Sequence, residues 1–180
     1  MKSKKKLIAT PSQTVGPFYS NFLKFNFKKT PLNDIYYNKN YSISINCKIR
    51  DKNGSSVKDG FIEYYQTDNI NNKYNLLDLN RVKFNVKSKC YLINLHQYSF
   101  TTYINIIIFA RGLLNHLNTI VLLEDDPNLN KNILYNSVSL KRRDSLIAKF
   151  VHINNNIKYY QFDLYLSGSK ETIFFNALPN

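Results

Sequence analysis

The most apolar stretch of the chain is residues 103–110, an uncharged run built mainly from isoleucine and aromatic residues. Side chains of these types are typical of a strand that is covered on both faces. Periodicity alone also fits a helix, but the consecutive isoleucines and Gly112 just beyond the run favour a strand. Arg111 ends the run. Its guanidinium needs an anionic or carbonyl partner and suits a carboxylate, which a ligand or a surface Asp or Glu could supply.

Strict alternation of apolar and polar residues predicts a half-buried strand at residues 41–49. The segment 51–54 ends in Asn-Gly, which favours a tight turn, and residues 61–66 are predicted to return as the next strand. The Asn-rich stretch 69–80 is predicted to be a polar surface loop. Further strands are predicted at residues 82–86, 91–95, 119–124, 159–166 and 171–175, the last two as a pair.

Helical signals are few. Asp125-Asp126-Pro127 predicts a turn and a helix start, with carboxylates at the N-terminal end of the dipole. Residues 139–149 can form one or two helical turns, with Leu140, Leu146 and Ile147 facing inward. Many short strands between turns, with little helix, predict an all-β fold: an antiparallel β-sandwich with one or two short helices.

The length of 180 residues fits one domain with a substantial core. We expect a flexible basic tail at residues 1–9 and a single domain at residues 10–180. No run resembles a signal peptide or has the length of a membrane helix, so the cytoplasm is the expected compartment. Cys47 and Cys90 are too few for a disulfide framework and are predicted to be reduced in the core.

A formal net charge of +13 could indicate nucleic acid, a membrane surface or an acidic partner. The lysines are spread along the chain, except at residues 2–6 and in the basic cluster 141–143. Asn, Lys, Ile and Tyr, which AT-rich codons favour, are also abundant. Compositional drift therefore explains much of the charge, and a dedicated nucleic-acid role is the less favoured interpretation.

No catalytic set can be assembled from residue spacing alone. His96, His116 and His152 are far apart and lack metal-ligand spacing with Cys, Asp or Glu, so each is interpreted as a surface or core histidine. Asp125 and Asp126 are interpreted as a pair of turn residues in preference to a general acid and base. The 14 tyrosines could supply phenolate ligands to ferric iron, but spacing selects none of them.

Residues 10–19, with two prolines, Gly16 and nearby hydroxyls, predict a shaped loop or, alternatively, an ordinary strap across a sheet. This segment begins a series of motifs that resembles, in order, the α subunits of the intradiol ring-cleavage dioxygenases. The series is Thr-Pro-Ser-Gln-Thr-Val-Gly-Pro-Phe at residues 10–18, then residues 59–68, residues 104–117 with Phe-Ala-Arg-Gly, and residues 142–149, 162–163 and 168–175. The resemblance covers nearly the whole chain from Thr10, and the order of the motifs makes it specific.

The resemblance implies an antiparallel β-sandwich of the intradiol dioxygenase type and an assembly of α and β chains that share this fold. In such an assembly the β chain holds non-haem ferric iron through two Tyr and two His. The strand matching its histidines carries Tyr103 and Asn105 here, and Asn is a poor ligand for ferric iron. The resemblance therefore implies that this chain binds no metal and is inactive when isolated.

The same resemblance implies that the α chain completes the active site of its β partner. Carried over by position, the completing residues are Thr14, Gly16, Pro17 and Arg111. The implied reaction is O2-dependent ring cleavage of protocatechuate to 3-carboxy-cis,cis-muconate in aromatic catabolism, with Arg111 and loop dipoles orienting the substrate carboxylate. The alternative interpretation is a catalytically dead sandwich that is retained as a binding module.

Overall fold

The computed structural model describes residues 41–70, 73–97 and 103–176. These residues form eight strands, one short α-helix and two 3₁₀ helices. The strands are β1 (Ile43–Arg50), β2 (Gly60–Ile70), β3 (Lys73–Asn85), β4 (Cys90–Leu95), β5 (Ile104–Ala110), β6 (Leu117–Leu123), β7 (Ile147–Asn154) and β8 (Ile157–Tyr165). Helix α1 is Ile133–Ser137, and the 3₁₀ helices are Leu129–Lys131 and Leu140–Leu146. The prediction of a mainly β fold with little helix is confirmed.

The eight described strands close into a barrel in the order β1-β4-β3-β2-β5-β6-β7-β8. Most neighbours are antiparallel, but β1 and β8 are parallel from Ile43↔Lys158 to Arg50↔Tyr165. A second, short parallel contact joins β6 to β7 at Leu122↔Ile147 and Leu123↔Ala148. The arrangement therefore differs from the wholly antiparallel sandwich that short strands and turns predict, since parallel partners far apart in sequence leave no local signal.

The barrel interior is filled by the alternating residues of each strand. The apolar face predicted for the first strand is confirmed, because Ile43, Ile45, Cys47 and Ile49 are buried. From β5 the core receives Ile104, Ile106, Ile108 and Ala110. Burying one such isoleucine contributes about 1.5–3 kcal/mol, so this face is a large part of the stability. Cys47 and Cys90 are both buried and free, as predicted.

Two strand predictions are wrong. Residues 69–80 are not a loop over most of their length: β2 and β3 run on as a hairpin, paired from Gln66↔Leu77 to Ile70↔Lys73. The cross-strand ladder satisfies the backbone there and overrides the turn preference of asparagine. Strand β2 also does not return along β1, because its neighbours are β3 and β5.

The last predicted pair is also corrected. Strand β8 pairs with β7, which the sequence did not predict, and Glu171 to Phe175 form no strand. Phe175 makes only an isolated bridge to Asn118. Strand β7 escaped prediction because its residues from Lys149 to Asn154 are all exposed, so no alternation is visible.

The segment between β6 and β7 carries the helices. The Asp125-Asp126-Pro127 turn is confirmed, with Asp126 Oδ1 accepting from the Asn128 N–H at 2.8 Å. Helix α1 is capped by Asn132, whose Oδ1 accepts from the Tyr135 N–H at 2.9 Å. Leu146 and Ile147 are buried as predicted, but Leu140 is 78% exposed. The segment is 3₁₀ rather than α-helical, which changes the face on which Leu140 lies. No helix in the described part of the chain is long and apolar enough to span a membrane.

Candidate functional site

The strands β2 and β5 bring two of the sequence motifs side by side. Gly60 is opposite Ala110 and Phe61 is opposite Phe109 in the antiparallel ladder. A Cβ atom on Gly60 would lie 2.4 Å from the carbonyl oxygen of Phe109, a distance that side chains do not adopt. Glycine is therefore required where the Asp59-Gly60-Phe61 segment passes the Phe109-Ala110-Arg111 segment.

Arg111 lies at the first position after β5, where the chain turns out of the sheet. Its backbone N–H donates to the Asp59 carbonyl at 2.9 Å, and Gly112, at φ +90°, makes the turn possible. The guanidinium Nη1 is 3.8 Å from Asp59 Oδ2. The side chains of Arg111 and Asp59 are 80% and 49% exposed. An ion pair this long and exposed contributes at most about 1 kcal/mol, so the guanidinium can exchange Asp59 for another carboxylate at little cost.

A stack of aromatic rings supports the strand end that precedes Arg111. The Phe61 and Phe109 rings stack at 4.4 Å between centroids, and the exposed His116 ring lies 5.6 Å beyond Phe109. On the other side the Arg81 guanidinium sits 4.6 Å over Phe61, and its Nε donates to Glu63 Oε1 at 2.8 Å. The stacked rings, together with Arg81 and its partner Glu63, hold the end of β5 in one position. The backbone of Arg111, which follows directly, is positioned with it.

The two positions matched to iron-ligating histidines lie at the other end of β5. Asn105 is fully buried opposite Tyr65 on β2 and Ile120 on β6. Neither atom of its side-chain amide has a hydrogen-bond partner among residues 41–70, 73–97 and 103–176. Tyr103 packs against a cluster of buried apolar side chains that includes Ile120, Leu122 and Leu146. Burial, and then the nearby Tyr103, raise the pKa of Tyr65.

Asn105 does not suit a ferric ion. Ferric iron needs anionic oxygen or imidazole ligands, but Asn105 supplies only a neutral amide. Within residues 41–70, 73–97 and 103–176, no group of three or more His, Cys, Asp or Glu side chains is placed to hold a metal ion. That the whole chain binds no iron stays a prediction.

Of the four residues predicted to complete a site, only Arg111 belongs to the described part of the chain. Thr14, Gly16 and Pro17 lie outside the described residues, and their roles stay predictions. Sequence reasoning did not single out Asp59 or His116 as neighbours of the Arg111 turn. The available signal was that their motifs, residues 59–68 and 104–117, both belong to the resemblance.

Comparison with known proteins shows what this arrangement is similar to. No family model matches the sequence. The protocatechuate 3,4-dioxygenase alpha chain of Pseudomonas putida is 28% identical over 193 residues, which cover 93% of this chain and 96% of that one. The chain of the same name from Burkholderia cepacia is 25% identical, with 93% and 97% covered.

The chain is similar to protocatechuate 3,4-dioxygenase alpha chains. The resemblance inferred from the motifs is thereby confirmed along nearly the whole length. The fold agrees: 3-chlorocatechol 1,2-dioxygenase from Rhodococcus opacus 1CP superposes with a TM-score of 0.50 over 68% of this chain and 58% of that chain. At 11% identity, that second likeness shows the fold alone.

Proposed function

We propose that this chain is the α subunit of a protocatechuate 3,4-dioxygenase and completes the active site of an iron-bearing β subunit. The observation that carries the proposal is Arg111, an exposed guanidinium at a rigid turn in a chain similar to such α chains over 93% of its length. Protocatechuate carries a carboxylate beside its two hydroxyls. A planar guanidinium binds that group with two parallel hydrogen bonds, which fix direction as well as position.

The role proposed for Arg111 is orientation. Its weak contact with Asp59 at 3.8 Å leaves it able to turn toward a substrate in a partner's pocket. The Phe61–Phe109 stack limits movement of the strand end from which it reaches. Holding a substrate in one orientation lowers the entropic part of the barrier, which is the contribution that a chain without chemistry of its own can make. Thr14, Gly16 and Pro17 are proposed to supply hydroxyl and backbone dipoles from the N-terminal loop.

Ferric iron, in this proposal, is held by the β subunit. Asn105, which stands at one of the two histidine ligand positions, is a poor ligand for the ion, and this supports a division of labour between the chains. Iron bound by the partner would chelate the two hydroxyls and activate the ring toward O2, with ring opening between them to give 3-carboxy-cis,cis-muconate. The assembly would be a cytoplasmic α/β hetero-oligomer in aromatic catabolism.

The second candidate is a catalytically dead member of the fold that serves as a binding module. The Asp59–Arg111 ion pair favours it, because an arginine that serves only the surface would also have an acidic neighbour. The two candidates differ in whether the chain changes the activity of a β partner.

Co-expression with an iron-bearing β chain from the same source tests the proposal. We expect the two chains to elute together on size exclusion, with iron near one equivalent per β chain and protocatechuate cleavage that neither chain shows alone. An α chain that stays separate from its β chain, or adds nothing to its activity, would favour the binding module.

A further inference from the structure

A cavity of about 710 Å³ opens beside Gly60, at the start of β2. Its lining includes five basic side chains and one ring: Lys48, Arg50, Lys58, Lys83, Lys89 and Phe84. Of the residues that the structure describes, no Asp or Glu lines it. Its volume falls within the range of small-molecule sites in proteins, which is about 300–1,000 Å³.

In the described part of the chain, three of these cations have no acidic partner within ion-pair distance. Arg50 is satisfied, because its Nε donates to Asp163 Oδ1 at 3.2 Å and its Nη1 to the Gly54 carbonyl at 2.9 Å. Among the described residues, by contrast, no carboxylate lies within ion-pair distance of Lys48, Lys58 or Lys89. Like charges that converge on one concavity repel each other, and a bound anion relieves that repulsion.

The cavity also has an apolar wall. Phe84 packs edge-on against Tyr91 with ring centroids 5.6 Å apart, so its position is fixed. The Lys58 ammonium lies 5.9 Å from the centre of the Phe84 ring. Val86 also lines the cavity and is 80% exposed. An apolar wall with cations around it matches a ligand that has an apolar body and acidic groups at its edge.

We propose that this cavity is a binding site for small organic anions that carry two or more carboxylates on an aromatic or similarly apolar body. The carboxylates bind Lys48, Lys58 and Lys89, and the apolar body packs on Phe84 and Val86. A single strand of nucleic acid needs a basic groove along which successive phosphates can bind, with exposed rings for its bases. Here the cations surround one concavity and the Phe84 ring already has Lys58 beside it, so a compact polycarboxylate fits better. The inference does not depend on the proposed function.

Calorimetric titration of the purified full chain at low salt tests the site. Three probes are used, each with one benzene ring and a different number of carboxylates. Benzene-1,3,5-tricarboxylate should bind, benzoate should bind more weakly, and neutral benzamide should not bind. The test variant is Lys48→Gln with Lys89→Asn. Lys89 has φ 54°, and asparagine is among the side chains that tolerate that conformation, so the second change removes charge with little strain.

The matched control is Lys131→Gln with Lys141→Gln, which removes the same charge from exposed positions outside the cavity. The Kd for the tricarboxylate should rise about tenfold or more in the cavity variant and less than about twofold in the control. The single variant Lys89→Asn, on the exposed β3–β4 turn, should show about a threefold rise and serves if the double variant misfolds.

Three results would overturn the inference. The first is no binding of the tricarboxylate by the unaltered chain. The second is an equal loss of binding in the cavity and control variants, which would mean diffuse surface charge. The third is a single-stranded oligonucleotide that binds more tightly than the tricarboxylate and loses affinity in the same cavity variant, which would assign the surface to nucleic acid.

Discussion

The Tyr160 hydroxyl donates a hydrogen bond of 2.7 Å to Asp125 Oδ1. The ring of Tyr160 is fully buried in the barrel, and its partner lies in the turn after β6. Lys158 donates to the other oxygen of the same carboxylate at 2.8 Å. Burial by itself would raise the pKa of Asp125, but the bonds from Lys158 and Tyr160 outweigh burial and lower it. The turn is thereby fastened to β8.

Asp125 is expected to make the free energy of unfolding depend on pH in the acidic range. Because its pKa is lower in the folded chain, its contribution is complete above the ordinary value of 3.8 and is lost as pH falls through the folded value. Asp125→Asn should reduce the free energy of unfolding at pH 7 and flatten its fall below about pH 4. Urea unfolding at pH 7, 4 and 3 measures both effects. An unchanged acid slope in the variant would show that other carboxylates govern it.

Gly60→Ala should destabilise the chain by about 3 kcal/mol, at the upper end for an overpacked site. The obstacle is the Phe109 backbone oxygen, 2.4 Å from the new Cβ, and backbone yields less readily than a side-chain end. Chemical unfolding measures the loss, and amide exchange should show faster opening at Arg111, whose N–H bonds Asp59.

Gly54→Ala is the matched control for Gly60→Ala. Gly54 has φ +82° but nothing within 4 Å of its Cβ position, so only backbone strain of about 1–2 kcal/mol applies. Exchange at Arg111 should stay as in the unaltered chain. Equal effects of both variants on that amide would mean that the Gly60 approach does not position the Arg111 turn.

Asn105→Leu should raise the free energy of unfolding of the isolated chain by about 1–2 kcal/mol. The substitution replaces a buried amide, which has no hydrogen-bond partner in the described part of the chain, by an apolar side chain of similar branching. Thr119→Val is the matched comparison on the neighbouring strand. Thr119 is equally buried but donates to the Ile173 carbonyl at 2.8 Å, so its replacement should destabilise. Destabilisation by Asn105→Leu would show that the amide is bonded in solution.

Arg111→Ala in the assembled α/β enzyme should lower kcat/KM for protocatechuate by roughly ten- to a hundredfold, since a charge-assisted contact is worth about 1.5–3 kcal/mol. Iron content and assembly should not change. The kcat/KM for catechol, which lacks the carboxylate, should fall far less. Arg111→Lys should recover only part of the activity, because lysine lacks the planar guanidinium.

Arg142→Ala supplies the control for Arg111→Ala. Arg142 is 51% exposed and, like Arg111, has a long ion pair, 3.9 Å to Glu171, so it matches Arg111 in charge and in the kind of contact it makes. The Arg142→Ala substitution should leave kcat/KM for protocatechuate and for catechol near the values of the unaltered enzyme. Equal losses on protocatechuate and catechol in Arg111→Ala would assign Arg111 to the fold or the subunit interface.

The sequence predicted elements best where burial leaves a pattern. The alternation in residues 41–49 located β1 to within two residues at its start and one at its end, and the apolar run 103–110 located β5. Strand β7 was missed because Phe150, Val151 and Ile153 are exposed and show no alternation. Leu140 was placed inward because a helix of 3.6 residues per turn was assumed where the chain is 3₁₀.

The candidate site was predictable only in part. Arg111 stood out because a charge follows an apolar strand, and its motif carried the resemblance. Its contact with Asp59 and the stacking of Phe61 on Phe109 depend on the β2–β5 register, which sequence spacing does not specify. The Asn105 amide, which has no partner among the described side chains, likewise depends on which residues meet across the sheet.

The parallel seam between β1 and β8 determines when the barrel can close during synthesis of the chain. Arg50 and Asp163, which meet across that seam, are 113 residues apart. Strand β4 pairs with one edge of β1, but the other edge stays unpaired until β8 has left the ribosome. Contacts between such distant segments slow folding. Barrel closure is therefore a late event that follows most of synthesis. A product terminated ahead of Ile157 keeps an open edge on β1, with which other nascent chains can pair.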